Sequence, residues 1–488
     1  FLMAHYPAAY EVDRTAGANP IRQDLSNLKE AGALYGAIIY KKAPIVMRML
    51  ETLIGEASFR KGVKTYLKEF SYRNATWPDL IRIFDQKSSL NLAEWSRSWV
   101  EEAGRPRINV DLAQDDSGKI TELNLKQDPS RTLHPQPVSV LIGKERLPIT
   151  LDTADLSVPE ATGKTFPGFI LPHGAGRGYG EFTLDPSSQA YLVSHLPELH
   201  DPLHRGIAWI TLWDGMLEGR IPPGALFDLA IRALKFEDEE LNVSRILHDL
   251  TTIYWRYLSV EDRVRYAPNL ESFLLERIES SKTDSLKSGF FRTYRSVVLS
   301  KEGVSKLRDI YDGKREITGV SFSESDQATT ALELALRLPE ESQGILLHQQ
   351  ESMKNPDRRR RLGFVSPALS PDPAIRERFF QSLQDSKNRE QEPWVLEAVT
   401  YLNHPLRSSE SISYLPRALE WLEEIQATGD IFFPKRWLDA TLWGHQSKEA
   451  ADQIRTFLEK RPTYPERLRG KILQSADGLF RAATLLDR

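Results

Sequence analysis

The stretch Gly104-Arg105-Pro106-Arg107-Ile108-Asn109-Val110-Asp111-Leu112 is where the chain changes character. Upstream of it, Ile38, Ile45, Val46, Met49, Leu50, Leu53 and Ile54 fall at three-, four- and seven-residue spacings. Those spacings place them on one stripe of a buried helix, which Gly55 ends. A second helix runs through Phe59, Val63, Tyr66, Leu67 and Phe70. A third starts at Thr76-Trp77-Pro78-Asp79, with Thr76 as N-cap, Pro78 in the first turn and Asp79 near the positive end of the helix dipole. From Ile108 onward the period falls to two. Ile108, Val110 and Leu112 alternate with polar residues, as do Leu123 and Leu125, then Val138, Val140 and Ile142, and last Phe182 and Leu184. Turn signals at Asp115-Asp116-Ser117-Gly118 and Gly174-Ala175-Gly176 punctuate these runs, so the pattern predicts a small antiparallel β-sandwich.

Beyond Pro197 helical periodicity returns and persists to Arg488, broken by Pro222-Pro223, Pro268, Pro339, Pro393, Pro434 and other prolines. Elements of roughly ten to twenty residues joined by short loops predict stacked helical pairs, although no repeat of fixed period is present. The fold class that follows is mainly α with a small β-sandwich. Residues 1–104 form a helical part, 105–195 the β-sandwich domain and 196–488 an α-helical solenoid.

Composition narrows the function. The chain has 488 residues, with 64 Lys and Arg against 68 Asp and Glu, a formal net charge of −4 and no cysteine. A near-neutral chain has no global field to draw it to nucleic acid or an acidic membrane surface. No apolar run approaches the roughly eighteen residues a membrane span needs. Without cysteine there are no disulfides, thiolate nucleophiles or zinc knuckles, so any metal must sit on His, Asp and Glu. The first residue is Phe rather than Met, and the sequence opens inside what reads as folded protein, so a fragment or a processed chain is expected. Compartment is left open between cytoplasm and periplasm.

Three motifs invite a site and are read otherwise. His200-Asp201-Pro202-Leu203-His204 has the histidine spacing of the zincin HExxH, but Asp stands in place of the base and Pro202 marks a helix entrance, with Asp201 as N-cap. Gly174-Ala175-Gly176-Arg177-Gly178-Tyr179-Gly180 is followed by the strand-like Glu181-Phe182-Thr183-Leu184 rather than by a helix, so it predicts a β-hairpin turn and no phosphate cradle. Arg358 to Arg361 form the strongest basic run, read as the solvated face of a short helix because no aromatics interleave for base stacking.

The segment Tyr35-Gly36-Ala37-Ile38-Ile39-Tyr40-Lys41-Lys42-Ala43-Pro44-Ile45-Val46-Met47-Arg48-Met49-Leu50 resembles the aminopeptidase N family of gluzincin zinc metallopeptidases, in the region after the zinc helices. There the pattern is Tyr-x-Lys-Gly or Tyr-x-Lys-Ala at a helix start. The likeness continues through Leu53-Ile54-Gly55-Glu56, Phe59, Gly62, Asn74-Ala75-Thr76, Asp79-Leu80, Trp95, Ser98-Trp99-Val100 and Ala103-Gly104-Arg105-Pro106. It extends more loosely through Gly178-Tyr179-Gly180-Glu181-Phe182, Asp201-Pro202-Leu203-His204-Arg205 and Ala476-Asp477-Gly478-Leu479-Phe480-Arg481. The resemblance implies that residues 1–104 are the helical tail of a thermolysin-like catalytic domain. It implies a solenoid that caps the active-site chamber in relatives, and a peptide substrate losing its N-terminal residue.

By the same resemblance Tyr40 is the tyrosine that hydrogen-bonds the oxyanion formed on the peptide carbonyl, and Tyr35 is a site-lining candidate. A neutral phenol, with a pKa of about 10, is a suitable donor at neutral pH. Pro44, four residues after Tyr40, would clash with the Tyr40 carbonyl in a regular helix, which predicts a bend or helix start that lets Tyr40 project into a cleft. The family's HExxH and its glycine-rich, Glu-containing amine-binding motif should precede Tyr40, and neither is in the sequence. His5 is the only histidine between Phe1 and Gly104, whereas a catalytic zinc takes about three protein ligands. The reading is therefore the C-terminal part of a zinc aminopeptidase, inactive by itself, with no metal in this chain and zinc in the intact enzyme, completed by a separate N-terminal zinc-binding half. A non-catalytic peptide- or protein-binding helical scaffold of the same descent is the alternative.

Overall fold

The computed structural model describes residues 1–24, 35–88 and 90–487. They form two compact units, Phe1–Ile221 and Pro222–Arg488. The protein is mainly helical with a small β region.

The first unit begins with helix α1 (Leu2–Asp13). After a wide turn at Ile38–Lys42 come α2 (Ala43–Ile54), α3 (Glu56–Glu69), α4 (Trp77–Asp85) and α5 (Leu92–Ser96). Ile45, Val46, Met49 and Leu50 are the buried face of α2, as their spacing requires, and Gly55 stops it with φ +81°. Thr76 and Asp79 form a capping box at the start of α4, in which the Thr76 amide donates to Asp79 Oδ2 at 2.9 Å and the Thr76 hydroxyl donates to the same oxygen at 2.6 Å. These bonds to the charged form hold the exposed Asp79 carboxyl below its usual range.

The β region has a sheet in the order β5-β2-β1-β7, from strands β1 (Arg107–Gln114), β2 (Ile120–Gln127), β5 (Asp155–Ser157) and β7 (Glu181–Thr183). A second sheet, β4-β3-β6, comes from β3 (Gln136–Ile142), β4 (Glu145–Leu151) and β6 (Ile170–Leu171). Ile108, Val110, Leu123, Leu125, Val138, Val140, Ile142 and Phe182 share one core, which is what their period-two spacing dictates. Two expectations need correcting. The glycine-rich run 174–180 is no hairpin turn, because β6 pairs with β3 while β7 pairs with β1, so the run carries the chain from one sheet to the other. The β1–β7 pairing is parallel, so the sandwich is not wholly antiparallel. The cause is Tyr179: its ring is buried and its amide donates to Gln136 Oε1 at 2.7 Å, pinning the run across the gap between sheets. Helices α6 (Pro186–His195) and α7 (Pro202–Leu217) follow.

The second unit is a succession of helices from Pro223–Phe236 to Glu466–Leu486, each packed against those that follow. The last helix returns to the beginning, packing beside Ile253–Tyr257. Arg256 reinforces this closure by donating to the Trp443 carbonyl at 2.9 Å, and Arg263 by donating to Gln446 Oε1 at 2.9 Å. A Cβ on Gly444 would stand 1.8 Å from the Asn403 carbonyl oxygen, a backbone atom with no freedom to yield. Gly444→Ala should therefore lower the stability of the second unit by about 3 kcal/mol, read from the urea midpoint.

Burial also sets an acid limit. It pushes His445 down to about 4 and His173 down to about 3, so the fold keeps both rings neutral. As pH falls below about 6.5 the unfolded chain takes up protons that the folded chain refuses, and stability present at neutral pH is progressively lost. The unfolding midpoint at pH 4.5 should lie below that at pH 7, with a smaller drop in His445→Gln; an equal drop would place the acid sensitivity elsewhere.

Candidate active site

Tyr40 stands in the wide turn that precedes α2. There the Ala43 amide donates to the Ile38 carbonyl, five residues back, in place of the usual four. Pro44 explains the position of this turn: it has no amide hydrogen to give the Tyr40 carbonyl and its ring obstructs the regular register, so α2 begins beside it. The turn sorts its side chains by face. Ile38 and Lys42 are buried, whereas Tyr40 is 57% exposed. Tyr35, 44% exposed, stands beside it with ring centroids 5.9 Å apart, so the two tyrosines singled out in the sequence do meet.

The base of the turn is anchored by a charge cluster that sequence reasoning missed. Lys42 Nζ lies 2.8 Å from Asp13 Oδ2 and donates to the Gly104 carbonyl at 2.8 Å, and both the Lys42 and Asp13 side chains have no exposed surface. Asp13 also accepts from the Tyr179 hydroxyl at 3.0 Å and from the Gly104 amide at 3.1 Å. Burial, then the Asp13 charge, pushes the Tyr179 phenol well above its ordinary value, so it remains a donor. Gly104 takes φ +92°, which only glycine adopts cheaply, and so presents both its amide and its carbonyl to the cluster. Next to it Arg105 donates to Asp214 Oδ2 on α7 at 2.7 Å and lies 4.4 Å from the Tyr10 ring centroid on α1. Trp95 and Trp99 both donate to the Pro135 carbonyl, at 3.1 and 2.8 Å, tying the helical part to the sandwich. The signal for the cluster was in the sequence as the lysine of Tyr-x-Lys-Ala, but its partners lie 29 and 62 residues away.

The other motifs resolve structurally. Asp201 caps α7 by accepting from the Leu203 amide at 2.8 Å, and His204 Nε2 lies 2.9 Å from Arg146. Arg358 lies 3.7 Å from Glu324, Arg359 donates to the Met353 carbonyl, Arg360 pairs with Asp357 and Arg361 with Glu397. Among the described residues no group of three or more His, Asp or Glu is arranged to hold a metal ion. His5, whose Nδ1 lies 3.1 Å from the Phe1 carbonyl, stands without such a cluster. Nor is any described helix long and apolar enough to cross a membrane.

Residues 1–99 match the peptidase family M1 domain. The chain is related to the aminopeptidase N-like M1 peptidases. Aminopeptidase N of Streptomyces lividans is 23% identical over 341 residues, 64% of this chain and 39% of that protein. Puromycin-sensitive aminopeptidase of Caenorhabditis elegans is 29% identical over 150 residues, 29% of this chain and 16% of the relative. Aminopeptidase M1-A of Oryza sativa subsp. japonica is 32% identical over 103 residues, 21% and 12% of the two chains. The matches thus span well under half the length of these curated relatives. Zinc is the metal this family implies, and the described residues do not fit a zinc site.

Because Tyr40 is largely exposed, removing its hydroxyl should not disturb the fold. Tyr40→Phe is expected to unfold within about 0.5 kcal/mol of the wild type in thermal or urea denaturation.

Proposed function

We propose that this chain is the C-terminal part of a zinc-dependent aminopeptidase that releases N-terminal residues from peptides, and that it is inactive until a zinc-binding half is present. Tyr40 is the group of this chain that acts on substrate: its neutral hydroxyl donates a hydrogen bond to the oxyanion developing on the scissile carbonyl, while Tyr35 lines the site. The observation that carries this reading is the display of Tyr40 on a turn whose other side is locked into the core. The division into a catalytic-domain tail at 1–104, a sandwich at 105–195 and a helical domain from 196 belongs to the same proposal.

The surface of the helical part supports a second polypeptide segment there. Phe1, Tyr35, Tyr40, Leu67, Tyr72 and Leu90 are all exposed, and among the residues of α3 only Gly62 is buried. So many open apolar side chains on one helical part, with Tyr35 and Tyr40 in contact, suit a contact surface. We assign it to the zinc-binding half of an M1 peptidase, because the sequence match at 1–99 is to that domain.

The scaffold reading has one observation in its favour. A groove of about 460 Å³ runs between the helices Glu240–Thr252 and Asp284–Val297, lined by Ser244, His248, Thr251, Ser285, Arg292 and Ser296 among others. Its hydroxyls could hold an extended peptide without chemistry.

An assay separates the two. Mixed with zinc and the zinc-binding half of a relative, the chain should release p-nitroaniline from an aminoacyl substrate, and Tyr40→Phe should lower kcat by about a hundred- to a thousandfold. Zinc and this chain alone should give no release. If the mixture stays inert while peptides still bind to the chain, the scaffold reading stands in its place.

A further inference from the structure

We propose that Lys42 is a positioning residue for the Tyr40 phenol, acting through the buried Lys42, Asp13 and Gly104 cluster. The positioning rests on geometry alone, whereas its catalytic value rests on the role proposed for Tyr40 above.

Lys42 belongs to the same five-residue turn as Tyr40, two residues on, and its side chain leaves from the opposite side. A turn with i to i+5 bonding is uncommon and survives only where surrounding contacts over-determine it. Lys42 supplies such contacts. Its ammonium is fixed by the carboxylate at the end of α1 and by the carbonyl of the turn that leads into β1, each at 2.8 Å. Asp13 is held in turn by Tyr179 and the Gly104 amide, so the ammonium meets partners that cannot rotate away.

Stability alone does not explain this arrangement. Two charges without exposed surface cost much of what their attraction returns, and apolar groups of similar volume often do as well. What an apolar pair would not do is fix a point in space. A charged lysine bound at two defined oxygens sets the register of the turn, and with it the direction of the Tyr40 ring. An oxyanion donor misplaced by about 1 Å can lose about a hundredfold in rate, so its support has to be rigid.

The test uses the full chain labelled with 3-fluorotyrosine, with the Tyr40 resonance identified by its loss in Tyr40→Phe. In the double variant Lys42→Met with Asp13→Asn, both charges are removed together so that neither is stranded. We expect a cooperatively folded protein in which the Tyr40 fluorine resonance shifts and broadens. The Ala43 amide should exchange with solvent about a hundredfold faster than in the wild type, as a locally opened turn requires. Lys41→Met, one residue away, should change neither signal.

A folded double variant with an unmoved Tyr40 resonance and unchanged Ala43 exchange would overturn the proposal. Should the double variant not fold, Tyr179→Phe removes just one donor from Asp13, and a shift of the same sign is required of it. In the assembly with a relative's zinc-binding half, the folded variant should lose kcat by at least about tenfold with KM unchanged. A moved resonance with full kcat would uphold the positioning and remove Tyr40 from the chemistry.

Discussion

The first unit depends on a buried carboxylate. Asp13 sits at the end of α1 and accepts from three donors that come from three parts of the chain: the ammonium of Lys42, the amide of Gly104 and the hydroxyl of Tyr179. A carboxylate without surface is tolerable only with its charge paired and its lone pairs filled, so each donor is required by the others. The consequence is geometric. The first helix, the turn bearing Tyr40, the passage into the sandwich and the run between its two sheets converge on one side chain. The buried rings of Tyr6, Tyr10 and Tyr179 pack in series, with Tyr10 and Tyr179 centroids 4.9 Å apart, and the Tyr179 hydroxyl joins that series to Asp13.

From that constraint the exposed side of the turn follows. With Ile38 and Lys42 committed inward, Tyr40 has to face outward, and the neighbouring Tyr35 ring lies against it. The same part of the molecule is thinly cored on its outer side. Leu53, Ile54, Phe59 and Val63 are half-buried, and Leu67 is exposed, although their spacing would bury them in an ordinary bundle. Apolar periodicity predicts which residues share a face; it does not say which polypeptide covers that face. Here the periodicity of α3 is real and its covering is incomplete, which fits a surface shaped for a neighbour.

Local signals were legible wherever the chemistry is local. The Thr76 cap with Asp79, the Asp201 cap at α7, the helix stop at Gly55 and the alternation of Ile108, Val110 and Leu112 all depend on residues a few positions apart, and each is found in place. The resemblance of 35–50 located Tyr40 and Tyr35, and Pro44 announced a break in the helix. What could not be read was pairing at a distance. The glycine run 174–180 has the composition of a turn, yet its neighbouring strands belong to different sheets, because a buried ring at Tyr179 and its bond to Gln136 decide where the chain goes. Lys42 likewise has its partners, Asp13 and Gly104, far away in sequence, and no local spacing points to them.

In the second unit, several arginines join helices that are distant in sequence. Arg376 donates to the Ser370 and Pro371 carbonyls, six and five residues back, and pairs with Glu410, 34 residues ahead. Arg389 does the same with Leu383, Gln384 and Glu424, 35 residues ahead, and Arg361 pairs with Glu397 at a separation of 36. The planar guanidinium suits this double duty, since one edge serves the backbone carbonyls left over at the end of one helix while the other meets a carboxylate on a later helix. The Arg376 and Arg389 guanidiniums are buried while Glu410 and Glu424 are about half exposed, so the bonds to backbone carbonyls are shielded and the carboxylate pairs are screened by water. Arg361, Arg376 and Arg389 thus each tie one segment of the second unit to another 34 to 36 residues further on.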